Sequence, residues 1–221
     1  MSVKLIAVTQ PLAGEGYAFN IGSMSAQDLV AYCARVSNPK NQENFDTAPK
    51  LLKYMVDNQH WSPFEMVNVV MEIEITRDIG RQILRHRSFS FQEFSQRYAE
   101  VNTQQFVHAP IRLQDTKNRQ NSIETDDKNL EGKWELLQAS VIEASRVSYN
   151  EAIKSGVAKE VARKLLPEGL TPTRMYMNGT LRSWIHYCQL RMGNGTQREH
   201  QEIAKQCWGI LKKEFPFLET I

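Results

Sequence analysis

Residues 71–76 set Met71, Ile73 and Ile75 against Glu72, Glu74 and Thr76 in strict alternation. A period of two belongs to a strand with one buried face. Two residues on, the period changes: Ile79, Ile83 and Leu84 follow at helical spacing, with Asp78 placed to cap the helix. A half-buried strand that runs almost directly into a short helix constrains what surrounds it. Its apolar face needs a covering layer. Whatever follows residue 84 is presented at a helix C-terminus, where the dipole favours a cation. The next residue is Arg85.

The rest of the chain supplies more helices than strands. Residues 3–9 are short, apolar and β-branched, closed by Gln10-Pro11, and predict a strand. Residues 11–24, with three glycines and a proline, predict a loop. Gly14 and Gly16 begin a G-x-G, but Phe19 stands where a dinucleotide fingerprint needs its third glycine. Ser25 and Asp28 form a capping-box-like pair for a helix to about residue 35, with Leu29, Tyr32, Cys33 and Val36 inward, stopped at Asn38-Pro39. Thr47 is placed to cap a helix to about residue 58, with Leu51, Leu52, Met55 and Val56 inward. Pro63 makes residues 60–65 a tight loop.

Residues 108–130 are polar and aperiodic and predict a long loop. Helices follow over about 130–155, with a stripe of Leu137, Val141, Ala144 and Ala152, and over 158–166. Met175 to Met177 is short and apolar, and Asn178-Gly179 reads as a turn. A helix over 180–191 buries Leu181, Trp184, Ile185 and Cys188. Thr196 and Glu199 make a capping box for a last helix to about 215, ended by Pro216. Strands that do not alternate regularly with helices predict an α+β fold rather than a doubly wound sheet, in a single domain over residues 1–221.

Composition narrows the function classes. A chain of 221 residues needs no disulfide or metal staple. A net charge of +2 is too small for a protein that wraps nucleic acid. Cys33, Cys188 and Cys207 are widely spaced without a C-x-x-C and read as buried, reduced thiols of a cytoplasmic protein. His108 and His200 have no ligand-spaced partners, so no metal site is expected. No apolar run approaches membrane-spanning length, and residues 5–8 are too short for a signal-peptide core.

The chemistry concentrates in residues 85–98: Arg85, His86, Arg87, Ser88, Phe89, Ser90, Phe91, Gln92, Glu93, Phe94, Ser95, Gln96, Arg97 and Tyr98. Guanidinium forks suit phosphate and carboxylate oxygens, and hydroxyls and Glu93 add short-range donors and acceptors. Phe89, Phe91 and Phe94 are spaced to pin the segment into the core. This predicts recognition of an anionic heterocycle such as a nucleotide. A mixed basic and aromatic run is also the composition of an ordinary solvated helix end. It also suits a stacking groove for single-stranded nucleic acid.

The spacing of Arg85, His86, Arg87, Ser90, Glu93, Ser95, Arg97 and Tyr98 resembles the signature of the flavin-dependent thymidylate synthases, departing at Gln92 where that family usually has Asn. The likeness extends from about residue 25 to 210, including the segment around residues 32–39. It implies a central sheet with flanking helices, a homotetramer, and active sites between subunits. It also implies the reaction: reductive methylation of dUMP to dTMP, with methylenetetrahydrofolate as carbon donor and NADPH as reductant through FAD. No nucleic acid or membrane partner is implied.

By the same resemblance His60, Ser62, Arg85, His86, Arg87, Glu93, Thr180, Leu181, Arg182 and His186 face the flavin. Many members carry Asn at the positions of Thr180 and His186. Gln82, Arg85, Glu93, Phe94, Ser95, Gln96, Arg97, Arg163 and Arg191 face dUMP. Arg191, His60 and Ser95 are the expected catalytic residues. Arg191 would favour ionisation at the pyrimidine N3, since a cation beside an acidic N–H lowers its pKa. For Glu93 a plain ion pair with Arg85 or Arg97 is the competing expectation, and a flavin or nucleotide binder that has lost catalysis, with Gln92 as the departure, is another for the whole chain.

Overall fold

A computed structural model describes residues 1–17, 19 and 24–221. The loop expected over 11–24 falls partly outside them; its described part turns at Gly14 and Gly16, both at positive φ. The strands β1 (Ser2–Val8), β2 (Asn68–Thr76) and β3 (Ser90–Glu93) form an antiparallel sheet with a late strand, Pro172–Thr180, in the order β1, β2, late strand, β3. Between β3 and that late strand lies a hairpin of two short strands, β4 (Leu113–Gln114) with β5 (Ser122–Ile123), so the late strand is β6. The helices are α1 (Ala26–Ala34), α2 (Ala48–Asp57), α3 (Arg77–Ile83), α4 (Lys128–Lys154), α5 (Lys159–Ala162), α6 (Leu181–Arg191) and α7 (Arg198–Glu214). This is the expected α+β mixture with a small sheet. Among the described residues no helix is long and apolar enough to cross a membrane.

The alternation in β2 does what its period implies: Met71, Ile73 and Ile75 are buried in one core with α1, α2, α6 and α7. On the opposite face Glu72 takes an ion pair from Lys4 at 3.2 Å. A second, smaller cluster of Val101, Tyr149 and Ala162 lies beneath Phe94 and Leu166.

Several local expectations are corrected. The Asn178-Gly179 pair is not a turn; it lies inside β6, paired with β2 and β3. Gly179 is there because a Cβ would overlap the Phe89 ring, which approaches the strand closely at that point. The α1 capping box forms as expected, but the buried face is Ala26, Val30 and Ala31, while Val36 is exposed. Two small residues let α1 approach closely, which rotates the larger side chains to the edge of the contact.

Asp78 does not cap α3. β2 runs straight into that helix, so the cap position falls at Thr76 and Asp78 sits in the first turn. Thr47 holds the cap position of α2, but its hydroxyl is taken by Arg35 Nη2 at 2.7 Å. α7 begins at Arg198 without the Thr196–Glu199 box, because Glu199 is paired with Arg112 at 2.7 Å. The long loop contains the β4–β5 hairpin, and the helix expected over 158–166 is α5 followed by a tighter turn, Arg163–Leu165. Residues 62–66 are one 3-10 turn with Pro63 in its first positions. Cys33 is half-buried rather than buried. The α4 stripe is the largest departure: Leu137 and Val141 are exposed, and Leu136 and Val147 with them.

Candidate active site

The signature curls out of α3. His86 N–H donates to Ile83 O at 3.0 Å and Phe89 N–H to His86 O at 3.2 Å, which turns His86 inward and leaves Arg85 and Arg87 exposed. Phe89 anchors the curl edge-on against Trp184, with centroids 4.9 Å apart. β3 then pairs with β6, so the second half of the segment is built on a strand. That register turns Gln92 to the open face beside Tyr176 and Glu93 towards α3.

Three groups of predicted residues result. In the first, Arg191 in the last turn of α6 donates Nε–H to His86 Nε2 at 2.9 Å. The accepting nitrogen carries a lone pair, so His86 is neutral with its proton on Nδ1. Burial pushes its pKa down to about 4, helped by the charges of Arg191 and Arg85. Arg191 is itself lowered, by burial and then by Arg85. Gln82, one turn before the curl, donates Nε2–H to Gln197 Oε1 at 2.8 Å.

His200 belongs to this group and was not singled out as a site residue. It is fully buried, with Nδ1 3.3 Å from Gln82 Oε1 and Nε2 3.1 Å from the Tyr187 hydroxyl. Burial lowers its pKa to about 3, with Arg191, His86 and Arg85 adding to the shift. A signal was available: His200 lies on the helical stripe of Ile203, Ala204, Cys207 and Leu211, an inward position that a histidine holds only with polar partners.

In the second group, Thr180 caps α6 by accepting from Ser183 N, and Arg182 Nη1 donates to Glu65 Oε1 at 2.7 Å. Burial raises the Glu65 carboxyl, but hydrogen bonds from Thr180 and Arg182 outweigh it and leave it below the usual range. His186 lies edge-on to Trp61 at 4.5 Å, its pKa lowered by burial and by Arg182. His60 and Ser62 are exposed, His60 edge-on to Tyr54 at 6.1 Å. Leu181 is sealed in the core, its N–H bonds Val67 O, and its carbonyl lies inside the first turn of α6, so the expected flavin contact of Leu181 has no free group to make it.

In the third group, Glu93 is paired with neither Arg85 nor Arg97. It accepts from Thr173 Oγ1 at 2.8 Å and lies 3.3 Å from Arg77 Nη1, because its strand register points it at the start of α3. Ser95 Oγ accepts from Arg97 N–H at 3.4 Å. The Gln96 side chain is buried with Nε2 unpartnered. Arg97 is exposed, 3.4 Å from Glu160 on α5, and Arg163 follows on the next turn. A cavity of about 610 Å³ opens beside this group, lined by Glu74, Phe94, Glu100, Asn102, Thr173 and Arg174.

A family model described as "Thymidylate synthase complementing protein" matches residues 21–217. A probable flavin-dependent thymidylate synthase of Paramecium bursaria Chlorella virus 1 is 49% identical over 216 residues, covering 98% of this chain and 96% of that protein. The chain belongs to the flavin-dependent thymidylate synthases. A flavin-dependent thymidylate synthase of Synechocystis sp. is 47% identical over 98% of this chain and 96% of its own length. The fold also matches the UMP/dUMP methylase PolB from Streptomyces cacaoi bound with 5-Br dUMP, with a TM-score of 0.76 at 23% identity, over 99% of this chain and 93% of that one.

The family also makes sense of the thiols. Cys188 and Cys207 are buried, and burial raises both far above the range of a reactive thiolate. None of the three groups contains a cysteine.

Proposed function

We propose that this protein is a cytoplasmic enzyme that converts dUMP to dTMP. It uses methylenetetrahydrofolate as carbon donor and NADPH, through FAD, as reductant. The observation that carries the reading is the first group. A neutral His86 is hydrogen-bonded to Arg191 with Arg85 close by, so two guanidinium charges face one place. Arg77, Arg81, Arg97 and Arg182 lie within ion-pair distance of carboxylates; among the described residues Arg85, Arg87, Arg163 and Arg191 do not. That leaves charge for an anionic nucleotide.

The residues also fit a flavin. Arg182 Nε is buried without a partner, and the free guanidiniums of Arg85 and Arg87 suit the diphosphate and the acceptor-rich ring edge. His60, Ser62, Arg85, His86, Arg87, Glu93, Thr180, Arg182 and His186 would hold it. When bound, FAD supplies the redox chemistry that the side chains lack.

On the substrate, Gln82 and Arg85 bind the nucleotide from one side, and Glu93, Phe94, Ser95, Gln96, Arg97 and Arg163 from the other. Arg191 holds the pyrimidine. Its charge stabilises the ring anion formed when N3 loses its proton, which makes C5 more electron-rich and removes the need for an enzyme nucleophile. His60 and Ser95 act near the reacting atoms. His86 accepts the Arg191 N–H and keeps that guanidinium aimed.

The assembly is a homotetramer of one domain over residues 1–221, with sites between subunits. Two features support it. The apolar residues Leu136, Leu137, Val141 and Val147 lie exposed along α4, and Val157, Val161 and Leu165 follow them. The first and third groups also rest on separate hydrophobic clusters. Anaerobic formation of dTMP from dUMP, methylenetetrahydrofolate, FAD and NADPH tests the activity. Tight oligonucleotide binding with no flavin spectrum and no dTMP would refute it.

A further inference from the structure

The start of α7 grips the Gln82 carboxamide at both ends. Gln82 Nε2 donates to Gln197 Oε1 at 2.8 Å. Its Oε1 therefore faces His200 Nδ1 at 3.3 Å, and since a carboxamide oxygen only accepts, that nitrogen carries the proton. His200 Nε2 then holds the lone pair, and the Tyr187 hydroxyl, 3.1 Å away, donates to it. The relay runs in one direction, from Tyr187 through His200 and Gln82 to Gln197. Its central ring is fully buried, and its depressed pKa keeps it singly protonated at neutral pH.

A side-chain amide offers two N–H donors and two oxygen lone pairs. The relay uses one of each and leaves one of each free. An unrestrained amide can exchange its oxygen and nitrogen by rotating half a turn. Here the rotation would require the His200 proton to move to Nε2 and the Gln197 carboxamide to turn as well, so the amide cannot rotate alone. We propose that His200 and Gln197 are positioning residues that fix the orientation of the Gln82 carboxamide and thereby set the preference for uracil over cytosine. This rests on the reading that Gln82 binds the nucleotide, and takes its free amide edge to meet the pyrimidine.

The chemistry of the choice is simple. Uracil carries a carbonyl at C4, which accepts the free Gln82 N–H, and more strongly once the ring is ionised beside Arg191. Cytosine carries an amino group there, which sets donor against donor. A freely rotating amide would turn its oxygen to that amino group and lose the distinction.

The test is calorimetric titration of the FAD-loaded enzyme with dUMP and with dCMP. His200→Leu removes the donor that holds the amide oxygen, and His200→Asn restores a side-chain N–H at about the Nδ1 position. The expected result is a fall of about three- to tenfold in the dUMP-to-dCMP affinity ratio for His200→Leu, the worth of one neutral hydrogen bond. The flavin spectrum should be retained, and His200→Asn should recover most of the ratio. Gln197→Leu, at a half-buried position, releases the other end and decides the matter if His200→Leu fails to fold. An unchanged ratio in the folded variants, with Gln82→Ala still weakening dUMP, would overturn the positioning role and leave the substrate reading standing. If Gln82→Ala has no effect on dUMP, the substrate reading of Gln82 fails and the proposal with it.

Discussion

The surroundings of Arg191 and of Arg97 carry the same residue types and are built in opposite ways. Around Arg191 the polar groups are committed to one another inside the main core: Arg191 to His86, Tyr187 to His200, His200 to Gln82, Gln82 to Gln197. Around Arg97 they are left open over the small second cluster. The Arg97 guanidinium is exposed, its only carboxylate partner, among the described residues, is a surface glutamate, and the Gln96 amide is buried without a bond. The first region is organised within a single chain before any ligand arrives. On the proposed reading the second is half of a site, with unmet contacts of the kind another copy and a nucleotide would supply.

The largest difference should appear in acid. His86 and His200 hold pKa values of about 4 and about 3, below the ordinary 6.5. Above pH 6.5 both are neutral folded or unfolded, and they contribute no pH dependence. Below it the unfolded chain takes up protons that the folded chain refuses, so stability falls as pH drops from about 6.5 towards 4. A group shifted as His86 is contributes up to roughly 3 kcal/mol of loss, less where solvent reaches the ring. Urea unfolding across that range should show the loss, and His200→Asn should remove the share due to His200. A stability independent of pH between 4 and 6.5 would break the account of a neutral, bonded core.

Next in size is Arg191→Ala. Losing a charge-assisted contact of about 1.5–3 kcal/mol should weaken dUMP about ten- to a hundredfold and change FAD affinity little. It should also raise the His86 pKa, since a repelling cation is gone, which an NMR titration of the ring detects. Collapse of FAD binding with dUMP unaffected would reverse the assignment. In the open region Arg97→Ala should leave unfolding within about 0.5–1 kcal/mol of wild type, because an exposed pair is worth little. It should nonetheless weaken dUMP in a salt-dependent way. The smallest effects belong to Cys33→Ser and Gln92→Asn. Cys33 touches none of the three groups and Gln92 lies on the open face of the sheet, so dTMP formation should persist in both.

What was legible in the chain follows from what each signal reports. The alternation in β2 and the fixed spacing of residues 85–98 are local and survived. β6 was missed because Asn178-Gly179 is a turn signal only where the backbone is free to turn, and here the glycine makes room for the Phe89 ring across the strand. The cap expected of Asp78 and the box expected of Thr196 and Glu199 failed to a neighbouring strand and to Arg112, which no local pattern announces. The stripe on α4 was recognised, but a periodic stripe does not say which chain covers it. Gln82, Arg85, His86 and Arg191 were named singly. That they meet, and that His200 joins them, depends on α3, α6 and α7 converging.

The division between the two regions is tested most directly by mixing. Arg191→Ala and Arg97→Ala variants, each impaired in dTMP synthesis at low dUMP, are co-expressed with different tags, and the hybrid assembly is isolated and assayed at that dUMP concentration. If the closed region of one copy meets the open region of another, some sites in the hybrid carry both arginines, and dTMP formation recovers well above that of either parent. If both arginines serve a site within one chain, every site in the hybrid is broken and activity stays at the parental level, which would contradict the account.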